Sequence, residues 1–317
     1  MPMNRIQFQP GLSLPALLEQ FGTEAQCEAA LERARWPDRL RCPRCGQAAH
    51  DVLRSGGRKT FQCQRGRVQT SLIAGTLCQS THLALTLWFL AIYLISQAKT
   101  GLSALALKRQ LGVSDPPAWL IQHKIMQAMA ERDPQYTLCG EVRVDDADRG
   151  GERVGGKAGR GSEHKVPFVA AVSLNAEGGP LYTQRIPVPG LTRNALTDWA
   201  KAALAPGCSV ISDGLACCAG VTAAGGDHQA MIIGPRKPHQ VPECAGLNTI
   251  LGHLKTRFSG TYHAFHFAQY GSRYLAAFAY RFNRRFHLDT LPARLLVAAA
   301  TIGPRSARWL RQAEASC

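Results

Sequence analysis

Apolar residues recur at helical spacing over about 14–34, which predicts a helix ending before Trp36-Pro37. The longest apolar run, LALTLWFLAIYLISQA at 83–98, is shorter than the ~20 residues a bilayer span needs. It also holds Thr86, Ser96 and Gln97, so it reads as a buried core helix. Residues 101–111 and 115–131 supply two further helices, and Pro134 closes the region. Beyond Leu138 the period changes. EVRVDD (141–146), VPFVAAVSL (166–174), LYTQRIPV (181–188), CSVISD (208–213) and HQAMII (228–233) read as strands. Helices are expected over 192–204 and 246–258, with a mostly helical remainder and a Gly- and charge-rich loop at 150–165. The order β-β-β-α-β-α-β-α from residue 141 predicts an α/β fold with a mixed sheet.

At 317 residues the chain is long enough for about two domains. Its 37 Lys and Arg against 22 Asp and Glu give a net charge of +15, which favours a polyanionic partner such as nucleic acid or an anionic membrane surface. MPMNRIQFQP has no apolar core of signal-peptide length, so a reducing cytoplasm is expected. The 11 cysteines cannot all pair with one another, and clustered ones read first as metal ligands.

Three clusters carry candidate chemistry. The first is a small module at 41–70, whose short β-segments are broken by Ser55-Gly56-Gly57. Cys42-x-x-Cys45 is half of a zinc knuckle, and Cys63-x-x-Gly66 stands where the second half belongs. Gly66 cannot ligate, so Cys42, Cys45 and Cys63 remain, with His50 a poorly spaced fourth candidate. The alternative is a set of free buried thiols. The second cluster, at 100–129, has the form of a helix-turn-helix: Gly112 at the turn, Ser114 placed to cap the next helix, and Pro116 and Pro117 in its first turn. Lys108, Arg109, Gln122, His123 and Lys124 would supply DNA contacts, although a plain helical packing unit fits the same pattern. Arg281, Arg284 and Arg285 in YRFNRRF offer a further grip on the phosphate backbone. His263 and His266, in TYHAFHF, fit packing or phosphate contact better than a metal pair.

The third cluster is acidic. Asp145 lies near the end of the first strand of the sheet, Asp213 at the end of the fourth just before Gly214, and Asn248 at the start of the helix LNTILGHLK. Lys255, seven residues after Asn248, falls on the same helix face. Oxygen ligands on strand ends and a helix suit two-metal phosphoryl transfer with Mg²⁺ or Mn²⁺. Asp146 or Glu141 is a candidate source of extra charge, although alternation along the strand points Asp146 away from Asp145. Taken singly, an Asp before Gly is ordinary turn chemistry and an Asn at a helix start an ordinary cap.

CPRCG (42–46), TSLIAGTL (70–77), the Asp145-Asp146 strand with Gly150-Gly151-Glu152, SDG (212–214), NTILGHLK (248–255) and SGTYHAFHFAQYGSRYLAAFAYRFNRRF (259–286) together resemble bacterial insertion-sequence transposases. The resemblance runs from about 30 to 290. It implies a zinc-ribbon module at 1–80, a helix-turn-helix region at 81–137, a ribonuclease H-like core at 138–290 and a C-terminal tail at 291–317. It also implies Mg²⁺-dependent cleavage and strand transfer at element ends, with Asp145, Asp213 and Asn248 as the triad and Lys255 as the residue that follows it. The expected partners are double-stranded DNA at transposon ends, target DNA and further copies of the chain, with no membrane partner, in a nucleoid-associated setting. Gly66, Asp148-Arg149, Pro117 and Cys244 depart from the family pattern, so the alternative is a decayed copy that retains DNA binding alone.

Overall fold

The computed structural model describes residues 11–133, 136–150, 165–231, 245–262 and 265–312. They form two compact units: residues 1–128 with 285–310, and residues 129–284 with the C-terminal residues from 311. Residues 151–164 of the loop expected at 150–165, Cys244 and His263 lie outside the described residues.

In the first unit the helix expected over 14–34 is two helices, α1 (Leu14–Phe21) and α2 (Glu24–Arg35). Thr23 and Gln26 form a reciprocal capping box that starts the second helix afresh. Strands β1 (His50–Ser55), β2 (Arg58–Cys63) and β3 (Gln69–Ser71) make an antiparallel sheet in sequence order. The apolar run forms α3 (Leu85–Gln97), burying Trp88, Phe89, Ile92 and Ile95. No described helix is long and apolar enough to cross a membrane. Helix α3 has no side-chain cap of its own sequence. Instead the Glu24 carboxylate accepts the Leu85 and Thr86 N–H groups at 2.9 and 3.2 Å, placing a negative charge at the helix N-terminus.

Helix α4 (Ala104–Leu111) is capped by Ser103 and stopped by Gly112 at φ +66°. Helix α5 (Asp115–Arg132) follows directly. Helix α9 (Leu291–Thr301), from the tail, packs on α2 and α3, and the Leu77 N–H donates to the Ala299 carbonyl at 2.9 Å. A short α10 (Ala307–Arg311) ends the described chain.

The second unit holds β4 (Glu141–Gly150), β5 (Lys165–Leu174), β6 (Pro180–Pro187), α6 (Arg193–Ala203), β7 (Ser209–Ser212), a 3₁₀ helix (Ala216–Ala224), β8 (Asp227–Ala230), α7 (Ala245–Gly260) and α8 (Phe267–Asn283). The sheet order is β6-β5-β4-β7-β8. The β6–β5 and β5–β4 pairs are antiparallel, and the β4–β7 and β7–β8 pairs are parallel. This is the ribonuclease H-like arrangement: a three-strand meander extended on one side by two crossover strands.

The two faces of the sheet differ in character. Val142, Val144, Val169, Ala171 and Val210 pack with Leu196 and Trp199 of α6 and with Val221 of the 3₁₀ helix. On the other face Asp145 shares a row with Ala170 and Arg185, and helices α7 and α8 cover β4, β5 and β6. Over residues 142–145, alternation along β4 therefore divides apolar from polar side chains between the faces.

Candidate active site and metal centre

The β4–β7 pairing runs from Glu141↔Ser209 to Val144↔Ser212 and then stops. Asp145 and Asp146 are the next residues of β4, and Asp213 is the next residue after β7. All three leave the carboxyl ends of a parallel pair, the position where open α/β sheets gather ligands. One carboxylate oxygen from each lies within 4.8 Å of the others, and all three residues are half-buried. Alternation sets Asp146 on the opposite face of β4 from Asp145, yet its carboxylate joins the cluster as a further charge. Past the end of β7, no described strand pairs with β4 on that flank, and both carboxylates come within 4.8 Å of that of Asp213. The Asp146 N–H donates to Asp145 Oδ1 at 2.9 Å, which turns that carboxylate back along its own strand.

The turn carrying Asp213 is fixed locally. Gly214 has φ +87°, and the Leu215 N–H donates to Asp213 Oδ1 at 3.2 Å, closing an Asx turn. Ser212 Oγ lies 2.9 Å from His228 Nε2 on the neighbouring strand. Burial holds the His228 imidazole below its ordinary value, partly offset by Asp227. Sequence reading gave His228 no role. Its signal is register alone, since β8 sets it opposite Val210, two residues before Ser212.

Asn248 sits half-buried in the first turn of α7, the helix that packs on β4 and β5 over the Asp145 face. Lys255 is exposed two turns further on. Hard carboxylate oxygens in this number fit a divalent cation such as Mg²⁺.

The sulfurs of Cys42, Cys45 and Cys63 also lie within 4.8 Å of one another, with Cys45 and Cys63 3.5 Å apart. Backbone N–H groups of Arg44 and Cys45 pull the Cys42 thiol down to about 7. Soft donors so grouped fit zinc. His50 is not in the cluster. Its Nδ1 lies 2.8 Å from the Ala48 carbonyl oxygen and its ring packs edge-on against Phe61.

The expected DNA-contacting residues divide. Lys108 and Arg109 reach the surface of α4, with Lys108 bonded to Asp115 at 2.8 Å. Gln122, His123 and Lys124 are buried, so the expectation that they contact DNA is corrected. Gln122 donates to the Leu102 carbonyl, Lys124 donates to the Leu77 carbonyl at 2.8 Å, and His123 packs on Trp119. Arg284 is also buried, ion-paired with Asp133 at 3.2 Å and lying 3.7 Å over the Tyr280 ring, which corrects its assignment to phosphate contact. Arg281 and Arg285 are half-exposed. His266 is exposed just ahead of α8.

Residues 137–283 match the family model of the ISXO2-like transposase domain, and residues 22–69 match that of the transposase zinc-ribbon domain. Together the two matches cover more than half of the chain. The chain belongs to the insertion-sequence transposases. The transposase domain contains the acidic cluster, and the zinc-ribbon domain contains the three cysteines. A solved structure described as a pre-cleavage Mos1 transpososome is similar over 63% of this chain and 74% of that chain, at 13% identity and a TM-score of 0.24, too low to bear on the fold. No curated protein matches the chain.

Proposed function

We propose that this transposase cleaves DNA at the ends of its element and joins the freed ends to target DNA in a reaction that depends on Mg²⁺ or Mn²⁺. The observation that carries the reading is the convergence of Asp145, Asp146 and Asp213 just beyond the last β4–β7 pair, Val144↔Ser212. Asp145, Asp213 and Asn248 would hold the ions, and Asp146 would add a third negative charge. Divalent ions at such a site activate the attacking water or 3′-hydroxyl and neutralise charge on the leaving oxygen.

The chain's own groups provide the frame. Asp145 and Asp213 are held by backbone N–H donors and enter the site with fixed direction. Lys255 contacts the phosphate beside the scissile bond as a point charge. Arg109, Lys108, Arg281 and Arg285 contribute to salt-sensitive binding of the DNA backbone. The protein acts as an oligomer on DNA, in the nucleoid, with 81–137 as the helix-turn-helix region and 138–290 as the core.

Nicking of an end-containing duplex with Mg²⁺ or Mn²⁺ tests this. Asp213→Ala should abolish nicking and leave DNA binding nearly intact, while Lys255→Ala should reduce strand transfer more than binding. Nicking that survives Asp213→Ala removes the site. Absence of nicking by the unmutated protein favours a decayed copy that only binds DNA.

A further inference from the structure

The zinc ribbon of this chain is built from two backbone knuckles with the same hydrogen-bond pattern. In the first, the Cys42 N–H donates to the Gln47 carbonyl and the Gly46 N–H to the Cys42 carbonyl, both at 2.9 Å. In the second, the Cys63 N–H donates to the Val68 carbonyl and the Arg67 N–H to the Cys63 carbonyl, again at 2.9 Å. Gly46 and Arg67 both hold positive φ, at +72° and +53°. A non-glycine in that conformation marks a turn that the surrounding structure enforces. The offsets are identical, so Cys42, Cys45, Gly46 and Gln47 correspond to Cys63, Gly66, Arg67 and Val68. Gly66 stands where the fourth sulfur belongs.

The second knuckle keeps its ligand-binding form without the ligand. The Gly66 N–H donates to Cys63 Sγ at 3.4 Å. A Cβ added at Gly66 would meet only Val68 Cγ2, at 3.9 Å, and φ there is not in the left-handed region. Among the described residues, the cluster of metal-binding side chains contains the three cysteines and no fourth donor. Four thiolates at ~2.3 Å from a tetrahedral zinc lie ~3.8 Å apart, which the Cys45–Cys63 separation of 3.5 Å already approaches. Exposed arginines flank both knuckles, Arg41 and Arg44 on one and Arg65 and Arg67 on the other.

We propose that the ribbon binds its metal through three thiolates and leaves a fourth, exchangeable coordination position over Gly66, open to a small anionic thiol. Three thiolates and a divalent ion carry a net charge of −1, and the four arginines offset the charge of an incoming fourth thiolate. In the exchange, a bound water leaves as the thiol sulfur binds and its proton passes to solvent, with no change of oxidation state. An open position separates ligand-exchanging zinc from closed structural zinc. The proposal rests on the zinc-ribbon reading of residues 22–69.

The test uses the full-length protein loaded with Co²⁺ as a spectroscopic stand-in, with Cys42→Ser as the control for cobalt held by other cysteines. Wild type should bind one Co²⁺ that Cys42→Ser loses, and its d–d bands should shift saturably on titration with mercaptoethanesulfonate. Gly66→Cys should raise the thiolate-to-cobalt charge-transfer intensity by about one third, as expected for four thiolates against three, and abolish the response to added thiol. If Gly66→Cys misfolds, the wild-type titration alone decides. A wild-type spectrum that ignores the thiol overturns the open position while leaving the zinc ribbon in place. Failure of both wild type and Gly66→Cys to bind Co²⁺ overturns the zinc-ribbon reading as well.

Discussion

Replacing Asp146 with Asn probes the acidic cluster as a metal centre with little disturbance of the sheet. The bond that ties Asp146 to Asp145 uses the Asp146 backbone N–H, which the substitution keeps. The three carboxylates lie within 4.8 Å of one another. Two unit charges at ~4.8 Å repel by ~3.5 kcal/mol at an effective dielectric of ~20 and by ~0.9 kcal/mol in bulk water. All three groups are half-buried, so ~1–2 kcal/mol per pair is the appropriate figure at moderate salt. Asn removes two of the three repulsions, which stabilises the metal-free protein by ~2–4 kcal/mol. The unit carrying the cluster runs from Met129 to Arg284, a size at which each kcal/mol moves Tm by ~2–4 °C. Tm in EDTA should therefore rise by at least ~4 °C. With metal present the sign reverses. The variant holds the cation more weakly, so the gain in Tm on adding Mg²⁺ or Mn²⁺ should shrink. Scanning calorimetry of both proteins, in EDTA and across a metal titration, gives both numbers. A lower Tm for metal-free Asp146→Asn, or equal metal-induced shifts, would count against a metal centre at the three carboxylates.

Arg284→Met leaves Asp133 buried without its ion-pair partner and should lower stability by about 3 kcal/mol in a denaturant titration, with the affinity of the folded protein for DNA unchanged. Arg285→Ala should instead reduce the slope of DNA affinity against salt in a filter-binding assay. Burial raises the Asp133 carboxyl to about 6 despite Arg284 beside it. The folded state therefore binds a proton more tightly than the unfolded chain, and stability falls as pH rises from about 4 to about 6. Asp133→Asn should flatten that part of a stability–pH profile. Gly220→Ala would place a Cβ 2.5 Å from the Arg193 carbonyl oxygen and 2.8 Å from Thr197 Oγ1, forcing the 3₁₀ helix off α6. A loss of about 1–3 kcal/mol is expected by chemical denaturation, and an unchanged midpoint would mean that the contact yields freely.

Strong periodicity made much of this fold legible in the sequence. The alternation of EVRVDD, the apolar VPFVAAVSL and the Asp-Gly closing VISDG placed the strands and the two outer carboxylates of the site. The run at 83–98 was recognisable as core because it was too short and too polar for a membrane. Other features depended on tertiary context. The break at Gly22-Thr23 lies inside an unbroken helical pattern, and the capping box decides it. Gln122, His123 and Lys124 look like a contact face because polar side chains are usually exposed, yet each finds a partner within the packed structure. Asp146 is legible only as a source of extra charge, because strand alternation gives a side chain's face but not its lateral reach where the neighbouring strand has ended. Arg284 sits in a basic run and faces Asp133, 151 residues earlier in the chain, a pairing no local pattern encodes.

The first unit is assembled from two distant stretches of chain, and α3 is completed by α9. Roughly 190 residues separate them, which at ~5–20 residues per second is about 10–40 s of synthesis. Over that interval the ribosome presents an apolar helix, carrying Trp88, Phe89 and Ile92, whose final neighbour has not been made. Most of the second unit, from Met129 to Arg284, is one stretch made before α9, and only its residues from Arg311 follow. Most of the ribonuclease H-like core is thus synthesised while the ribbon-bearing unit still waits for its last helix. Any holdase or protease that samples this protein during translation meets it at α3.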